Sequence, residues 1–248
     1  MIKVYSGHHV KFAALLMVEQ LGKLGHTAEW VSEVDPESED IWIIYQAVRV
    51  AKFPKKYIVC QTEPHGSHWF TMAYQHILSR AICIWDYSAK NTLSYGCGPK
   101  MKIALVRPGV KLQPLVEKDI DYLFYGWIEG SPHRERVLNE LSKKINLTVV
   151  TDKLEHEMWA LLSRTKVVIN IQYKPGNPLE GYRICEALSY GCKVITEGFD
   201  PHYLGAVMFS DECWMRNNLP FRGIIENDLF NMGNLAEIKE GLKIAGIL

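Results

Sequence analysis

The chain has 248 residues, room for one large domain or two compact ones, and its 48% hydrophobic content is enough for real cores. Lysine plus arginine and aspartate plus glutamate both number 28, so the net charge is zero. No long-range field then draws the protein to nucleic acid or to an acidic membrane, and any anion site must be local. No run approaches the roughly 20 apolar residues of a membrane span, and the opening MIKVYSGHHV lacks the pattern of a secretory signal. The cysteines, Cys60, Cys83, Cys97, Cys185, Cys192 and Cys213, include no CxxC pair and mostly fall in apolar patterns. Buried thiols in a soluble, cytoplasmic protein are expected rather than disulfides or a zinc site.

A short apolar strand at residues 2–5 ends at Ser6 and Gly7, and residues 12–24 then carry apolar positions at helical spacing. Strands follow at 28–31, 41–45, 57–61, 81–85 and 102–106, with helices at 68–79 and 89–95. Residues 107–118 contain Pro108, Gly109 and Pro114 without periodicity and read as a linker. A second alternation gives strand 122–125, helix 134–144, strand 147–151, helix 155–163 and strand 167–171. A loop with Pro175, Gly176 and Pro178 then enters a helix whose Ile184, Ala187 and Leu188 share one face; Gly191 closes it before a strand at 193–196. Beyond Glu197 the pattern weakens, apart from a closing helix at 235–244.

Strands alternating with helices predict the α/β class with parallel, doubly wound sheets. The expected organisation is two Rossmann-like domains facing a cleft, 1–110 and 111–248, with the final helix able to pack back on the first domain. Ligands of such sheets bind at the carboxyl ends of the strands, so the loops after strands are the places to search.

In the first half, Gly7, His8 and His9 follow a strand directly, where an imidazole can serve as a general base. Glu63 and His65 follow another; Glu63 is read either as a base or as a helix cap. In the second half, Gly126 allows a tight turn, and Arg134 or Arg136 could then grip a diphosphate at a helix start, the alternative being an ordinary charged helix. Tyr173 and Lys174 follow the strand at 167–171. The strongest constellation is Glu180, Gly181, Tyr182, Arg183 and Glu186: helix-start amides and a guanidinium attract phosphate, while the two carboxylates accept from sugar hydroxyls. That combination suits a nucleotide-sugar. The fingerprints GxGxxG and GxSxG, the Walker loop and HExxH are missing, which argues against a dinucleotide enzyme, a serine hydrolase, a P-loop enzyme and a zinc protease.

The run Glu186-AlaLeuSerTyrGly with Val194 and Ile195 resembles the donor-binding motif of GT-B fold glycosyltransferases. The resemblance implies that Glu186 binds the ribose hydroxyls of the nucleotide and that Glu180 binds hydroxyls of the transferred sugar. The spacing between the two glutamates is shorter than the family's usual one, which would fall on Pro178. Upstream, DYLFYGWIEGSPHRERVLNEL resembles the strand, glycine loop and helix that open the C-terminal half of these enzymes, where basic residues bind the donor's phosphates. The implied activity is metal-independent sugar transfer from a nucleotide-diphosphate-sugar donor to a carbohydrate or glycoconjugate acceptor. No further cofactor and no nucleic-acid partner are implied. An inverting reaction would take its base from His8, His9, Glu63 or His65. A nucleotide-sugar epimerase and a non-catalytic nucleotide-sugar-binding module are the alternatives.

Overall fold

The computed structural model describes residues 1–65, 67–92, 95, 101–197, 206–209 and 227–248. It divides into two compact units, Met1–Gly109 with Leu229–Leu248, and Val110–Asp228. Cys97 and Cys213 lie outside the described residues, as do positions 93 and 94 of the helix expected at 89–95. Among the described residues no helix is long and apolar enough to cross a membrane.

Unit 1 contains β1 (Ile2–Tyr5), α1 (Lys11–Lys23), β2 (Ala28–Val31), β3 (Ile41–Tyr45), β4 (Tyr57–Cys60), α2 (Met72–Arg80), β5 (Cys83–Asp86), α3 (Ala89–Thr92) and β6 (Ile103–Leu105). Its sheet runs β2-β1-β3-β4-β5-β6, and every pairing is parallel. The central strands IWIIY, YIVC and CIWD do not alternate, as expected where both faces of a parallel sheet are covered. On one face Trp42, Ile44, Tyr57, Val59 and Ile84 pack with Tyr74 and Leu78 of α2. That helix begins four residues later than the periodicity suggests because Thr71 caps it, its side chain accepting from the Tyr74 amide at 3.2 Å. The residues ahead of it make turns instead, Ser67 N–H to Pro64 and Phe70 N–H to Ser67.

The last helix, α7 (Asn227–Ala245), belongs to unit 1 from Leu229 onward. The Arg107 amide and guanidinium both donate to Glu237 at 2.8 Å, and Asn234 donates to the Arg107 carbonyl. Ile238 and Leu242 are fully buried, and Gly241 lies directly against the Trp85 indole.

Unit 2 contains β7 (Ile120–Tyr125), α4 (Pro132–Ser142), β8 (Leu147–Val150), α5 (Glu155–Arg164), β9 (Thr165–Asn170), α6 (Gly181–Ser189), β10 (Lys193–Glu197) and β11 (Ala206–Phe209). The sheet order is β11-β10-β9-β7-β8, again all parallel. Phe124, Val167, Ile169, Ile171 and Ile195 pack with Val137, Leu138 and Leu141 of α4. Ser131 caps α4 by accepting from the Arg134 amide, and Pro132 occupies the first turn, where its missing N–H costs nothing; the helix therefore starts two residues before the expected position. The segment 111–118 is bonded to this unit. The Lys111 and Gln113 amides donate to Ser189, and the Lys118 ammonium donates to the carbonyls of Ser163, Thr165 and Tyr190, satisfying helix-end acceptors.

Both sheets share one winding: the first strand of the unit lies between the second and the third. The chain reverses direction across the sheet between β1 and β3 in unit 1 and between β7 and β9 in unit 2. Crevices at such switch points, beyond the carboxyl ends of the strands, are where doubly wound sheets bind ligands.

A Cβ placed on Gly241 would lie 2.8 Å from Cε2 and Nε1 of Trp85, which is fully buried and has no room to retreat. Overpacking costs about 1–3 kcal/mol, against about 1 kcal/mol of helix propensity gained. Gly241→Ala should therefore lower the urea midpoint of unfolding, and a raised midpoint would show that α7 is not packed this way.

Candidate functional site

The switch point of unit 2 gathers most of the residues singled out in that half. The loop after β7 starts at Gly126, with φ +133°, and the Arg183 guanidinium lies over its Cα where any Cβ would collide. Glycine is needed here for both reasons. Arg183 donates to the Asn170 side chain at 3.0 Å, pairs with Glu180 at 2.6 Å, and stacks on Tyr125 and Phe124 at 5.4 and 5.8 Å. Asn170, buried at the end of β9, is held in turn by its bond to Thr196 at 2.8 Å.

Arg134 is only 2% exposed. Its guanidinium donates to the carbonyls of Ile171 (2.9 Å) and Trp127 (2.6 Å) and to the Glu180 carboxylate. Burial brings its pKa down to about 10, with Glu180 opposing the shift and Arg183 adding to it. Glu180 thus bridges both arginines from the residue just ahead of α6, and Arg134 ties together the loops that follow β7 and β9. Arg136, the other expected cation, is exposed on α4. Of the helix-start amides, that of Gly181 donates to the Leu179 carbonyl at 2.9 Å.

Glu186 stands farther along α6. One carboxylate oxygen accepts from the Trp159 indole at 2.8 Å and the other from the Tyr125 hydroxyl at 3.0 Å. Burial raises its pKa, and the two hydrogen bonds and the charge of Arg183 oppose that rise. The carboxylate is fixed by neutral donors on β7 and α5, with acceptor capacity left over. Trp159 escapes a sequence reading because it lies on a different helix, and nothing in its local pattern marks it as a partner of Glu186.

In the loop after β9 the Gln172 side chain donates to the Asn177 carbonyl and accepts from the Gly176 amide, closing the turn on itself. Lys174 is exposed on this turn. Tyr173 has its carbonyl bound by the Ser131 hydroxyl at 2.6 Å and its own hydroxyl donating to Glu129, so it braces the β7 loop; Tyr182 is half-buried on α6. His133 and Glu197 form a further pair at 2.8 Å, and the Gln172 amide donates to the same carboxylate.

Unit 1 arranges its candidates at its own strand ends. His8 and His9 start a single 3₁₀ turn after β1. Although solvent-exposed, the His9 imidazole has its pKa lowered, first by partial desolvation and then by the charges of Arg49 and His8. Gln46, after β3, adopts a left-handed backbone at φ 52° and lays its carboxamide over Gly7. Glu63, after β4, has a raised pKa because of burial, opposed by a hydrogen bond from Thr62 and by the charges of His68 and Arg49. His65 packs edge-on against Phe70 at 4.9 Å. The charge of Arg49 acts on both His9 and Glu63.

Behind Glu63 and His65 lies a buried polar network that the sequence does not reveal. Gln61 receives the Tyr74 hydroxyl at 2.6 Å and donates to Tyr95 at 2.9 Å, while its side-chain oxygen also accepts from the Thr62 and Glu63 amides. Tyr95 donates to Asp86, which further accepts from Asn91 and the Ser88 amide, both at 2.8 Å. Gln61, Asp86 and Asn91 are all at most 1% exposed. Among the described residues no group of three or more His, Cys, Asp or Glu is placed to hold a metal ion.

No family model and no curated protein sequence matches this chain. Among solved structures it is similar to an alpha-glucosyltransferase in complex with UDP-glucose and DNA containing an abasic site, at 11% identity and a TM-score of 0.53, over 98% of this chain and 91% of that one. It is also similar to an alpha-glucosyltransferase in complex with UDP and a 13-mer DNA containing a HMU base, at 11% identity and a TM-score of 0.51, with the same coverage. At this identity the likeness shows the fold: the chain has the GT-B fold, built from two Rossmann-like units.

Two outcomes follow from these charges. Glu180→Ala leaves the buried Arg134 without its counter-charge and should destabilise the protein by roughly 3 kcal/mol in chemical denaturation, the cost of orphaning one member of a buried pair; a change near zero would show that water reaches Arg134. Asp86 has its pKa raised to about 6 by burial, with the bonds from Tyr95, Ser88 and Asn91 opposing. Between the ordinary carboxylate range and about 6 the native state then binds more protons than the unfolded one, so stability falls as pH rises through that window and returns on acidification. Relative to Asp86→Asn, the wild type should lose up to roughly 3 kcal/mol from about pH 4 to about pH 7 in urea unfolding, whereas a pH-independent difference would place Asp86 in solvent.

Proposed function

We propose that the protein is a glycosyltransferase that moves a sugar from a nucleoside-diphosphate-sugar to a hydroxyl acceptor, the donor held by unit 2 and the acceptor by unit 1. The carrying observation is the grouping at the unit 2 switch point of Arg183 over Gly126, Glu180 between two guanidinium groups, and a Glu186 carboxylate locked by Trp159 and Tyr125. The GT-B fold supports the same reading.

In this reading Glu186 accepts from the ribose hydroxyls and Glu180 from the sugar, while Arg183, exposed Lys174 and the α6 helix start meet the diphosphate. Negative charge grows on that diphosphate as the glycosidic bond breaks, and fixed cations in a sheltered site stabilise it in place of a divalent metal. Glu63, whose raised pKa suits a proton acceptor, is the favoured base if the anomeric centre inverts, with His8, His9 and His65 as the other candidates. A carbohydrate or glycoconjugate acceptor fits the balanced charge, since nucleic-acid binding draws most of its affinity from phosphate neutralisation. The buried free thiols Cys60, Cys83, Cys185 and Cys192 support a reducing, cytoplasmic setting.

A thermal-shift screen with UDP-, GDP-, ADP- and TDP-glucose selects the donor, because a ligand that binds only the native state raises its stability. With that donor's nucleotide, Arg183→Ala should weaken nucleoside diphosphate binding by about 10–100-fold and the nucleoside far less, the value of one charge-assisted contact. Glu186→Ala should weaken both. Equal loss of the two ligands in Arg183→Ala would remove the phosphate contact, and unchanged affinity in a folded Glu186→Ala would remove the ribose contact. Conversion of the donor alone into an isomeric nucleotide-sugar would mark an epimerase, and tight binding without turnover a binding module.

A further inference from the structure

We propose that Asn91 is the positioning residue for the turn 62–65 of unit 1, fixing Glu63 and His65 at the carboxyl end of β4 through their main chain. Its side-chain oxygen accepts from the His65 amide at 2.5 Å, and its side-chain nitrogen donates to the Glu63 carbonyl at 3.3 Å and to Asp86 at 2.8 Å. One carboxamide thereby bonds the main chain at both Glu63 and His65 and anchors them to a fully buried carboxylate at the end of β5. Asn91 is itself fixed, since its amide donates to the Ser88 hydroxyl and its side chain is 1% exposed. From the other side, Gln61 accepts from the Thr62 and Glu63 amides and is locked by Tyr74 and Tyr95.

The combination is specific to amide chemistry. A carboxylate at position 91 keeps the acceptor for His65 but sets a second acid against Asp86, so the two repel or share one proton, and an alanine loses all three bonds. A turn bearing two polar, titratable side chains does not need this many buried partners for folding alone, since water satisfies exposed turn groups. Catalytic groups, by contrast, must be held by partners whose own positions are locked. The functional half of the inference rests on the proposed glycosyl transfer; the structural half does not.

The test uses the full chain and two variants, Asn91→Ala and Asn91→Asp. Amide hydrogen exchange at His65, read by NMR, should speed up by about tenfold or more in Asn91→Ala and by clearly less in Asn91→Asp, as expected for loss or retention of a single hydrogen bond. UDP release from UDP-glucose, with water in the acceptor's place, should fall in kcat by about tenfold in Asn91→Ala with KM nearly constant. Unchanged His65 exchange in Asn91→Ala overturns the inference. So does faster exchange with unchanged kcat, or a kcat loss that only tracks the loss of folded protein. If Asn91→Ala does not fold, His65 exchange in the wild type decides: protection well above that of an exposed amide is expected, and exchange at the exposed rate overturns the inference. If the wild type releases no UDP, the transferase reading fails for this donor, and the exchange measurement still decides whether Asn91 holds the turn.

Discussion

The second unit is organised around one carboxylate shared by two guanidinium groups. Glu180 lies just ahead of α6, Arg134 on the first turn of α4 and Arg183 on the first turn of α6, so their contacts fix the approach of two helices and the loops after β7 and β9. The two cations stand beside the positive end of α6, opposed by Glu180 and, through their fields, by Glu186 and Glu197. Burial chiefly lowers the pKa of Arg134, and Arg183 adds to the shift while Glu180 opposes it. In the proposed reading the arginines meet the anionic part of the donor and the neighbouring Glu186 its hydroxyl groups.

The two units wind their sheets in the same order and therefore offer equivalent crevices, yet their chemistry differs. Around β7 and β9 the side chains are charged, and their pairing is ionic. Around β4 and β5 the buried groups are amides, phenols and a single carboxylate, linked by hydrogen bonds that end at the turn carrying Glu63 and His65. A buried hydrogen-bonded network rigidifies what it holds only if its members are satisfied, and Gln61, Asp86 and Asn91 all bond within it. This contrast supports a division in which one unit grips an anionic donor and the other presents a base to a neutral hydroxyl.

Much of the architecture is legible in the sequence because parallel strands buried on both faces are near-continuous apolar runs, and IWIIY, YIVC and TKVVIN can hardly be anything else. Helix starts are less legible where a single side chain decides them, as Thr71 and Ser131 do. Strand β11 is four residues in a stretch of weak pattern, and it is identified only by pairing with β10. The site divides in the same way. Gly126, Arg183 and Glu186 are visible as strand-end and helix-start residues, whereas Trp159 and Asn91 act across 27 and 26 residues of chain on Glu186 and His65. Arg134 is visible as a cation at a helix start, but that it would be buried and tied to two carbonyls depends on the loops folding over it. Each pairing follows from strand order, which local periodicity does not encode.

Buried carboxylates in both units share one property that bears on what they recognise. Glu186, Glu63 and Asp86 are all pushed toward the protonated form by burial, and the hydrogen bonds they accept oppose this only in part. Asp86 has no exposure, so its imbalance is fixed within the fold. Glu186 and Glu63 lie beside strand ends and can be relieved from outside. A hydroxyl donating to an under-solvated carboxylate forms a charge-assisted bond, roughly twice as strong as a neutral one, and restores part of the lost hydration. Acceptors fixed in place with lone pairs to spare are compatible with the hydroxyl-rich ligand of the proposed reading.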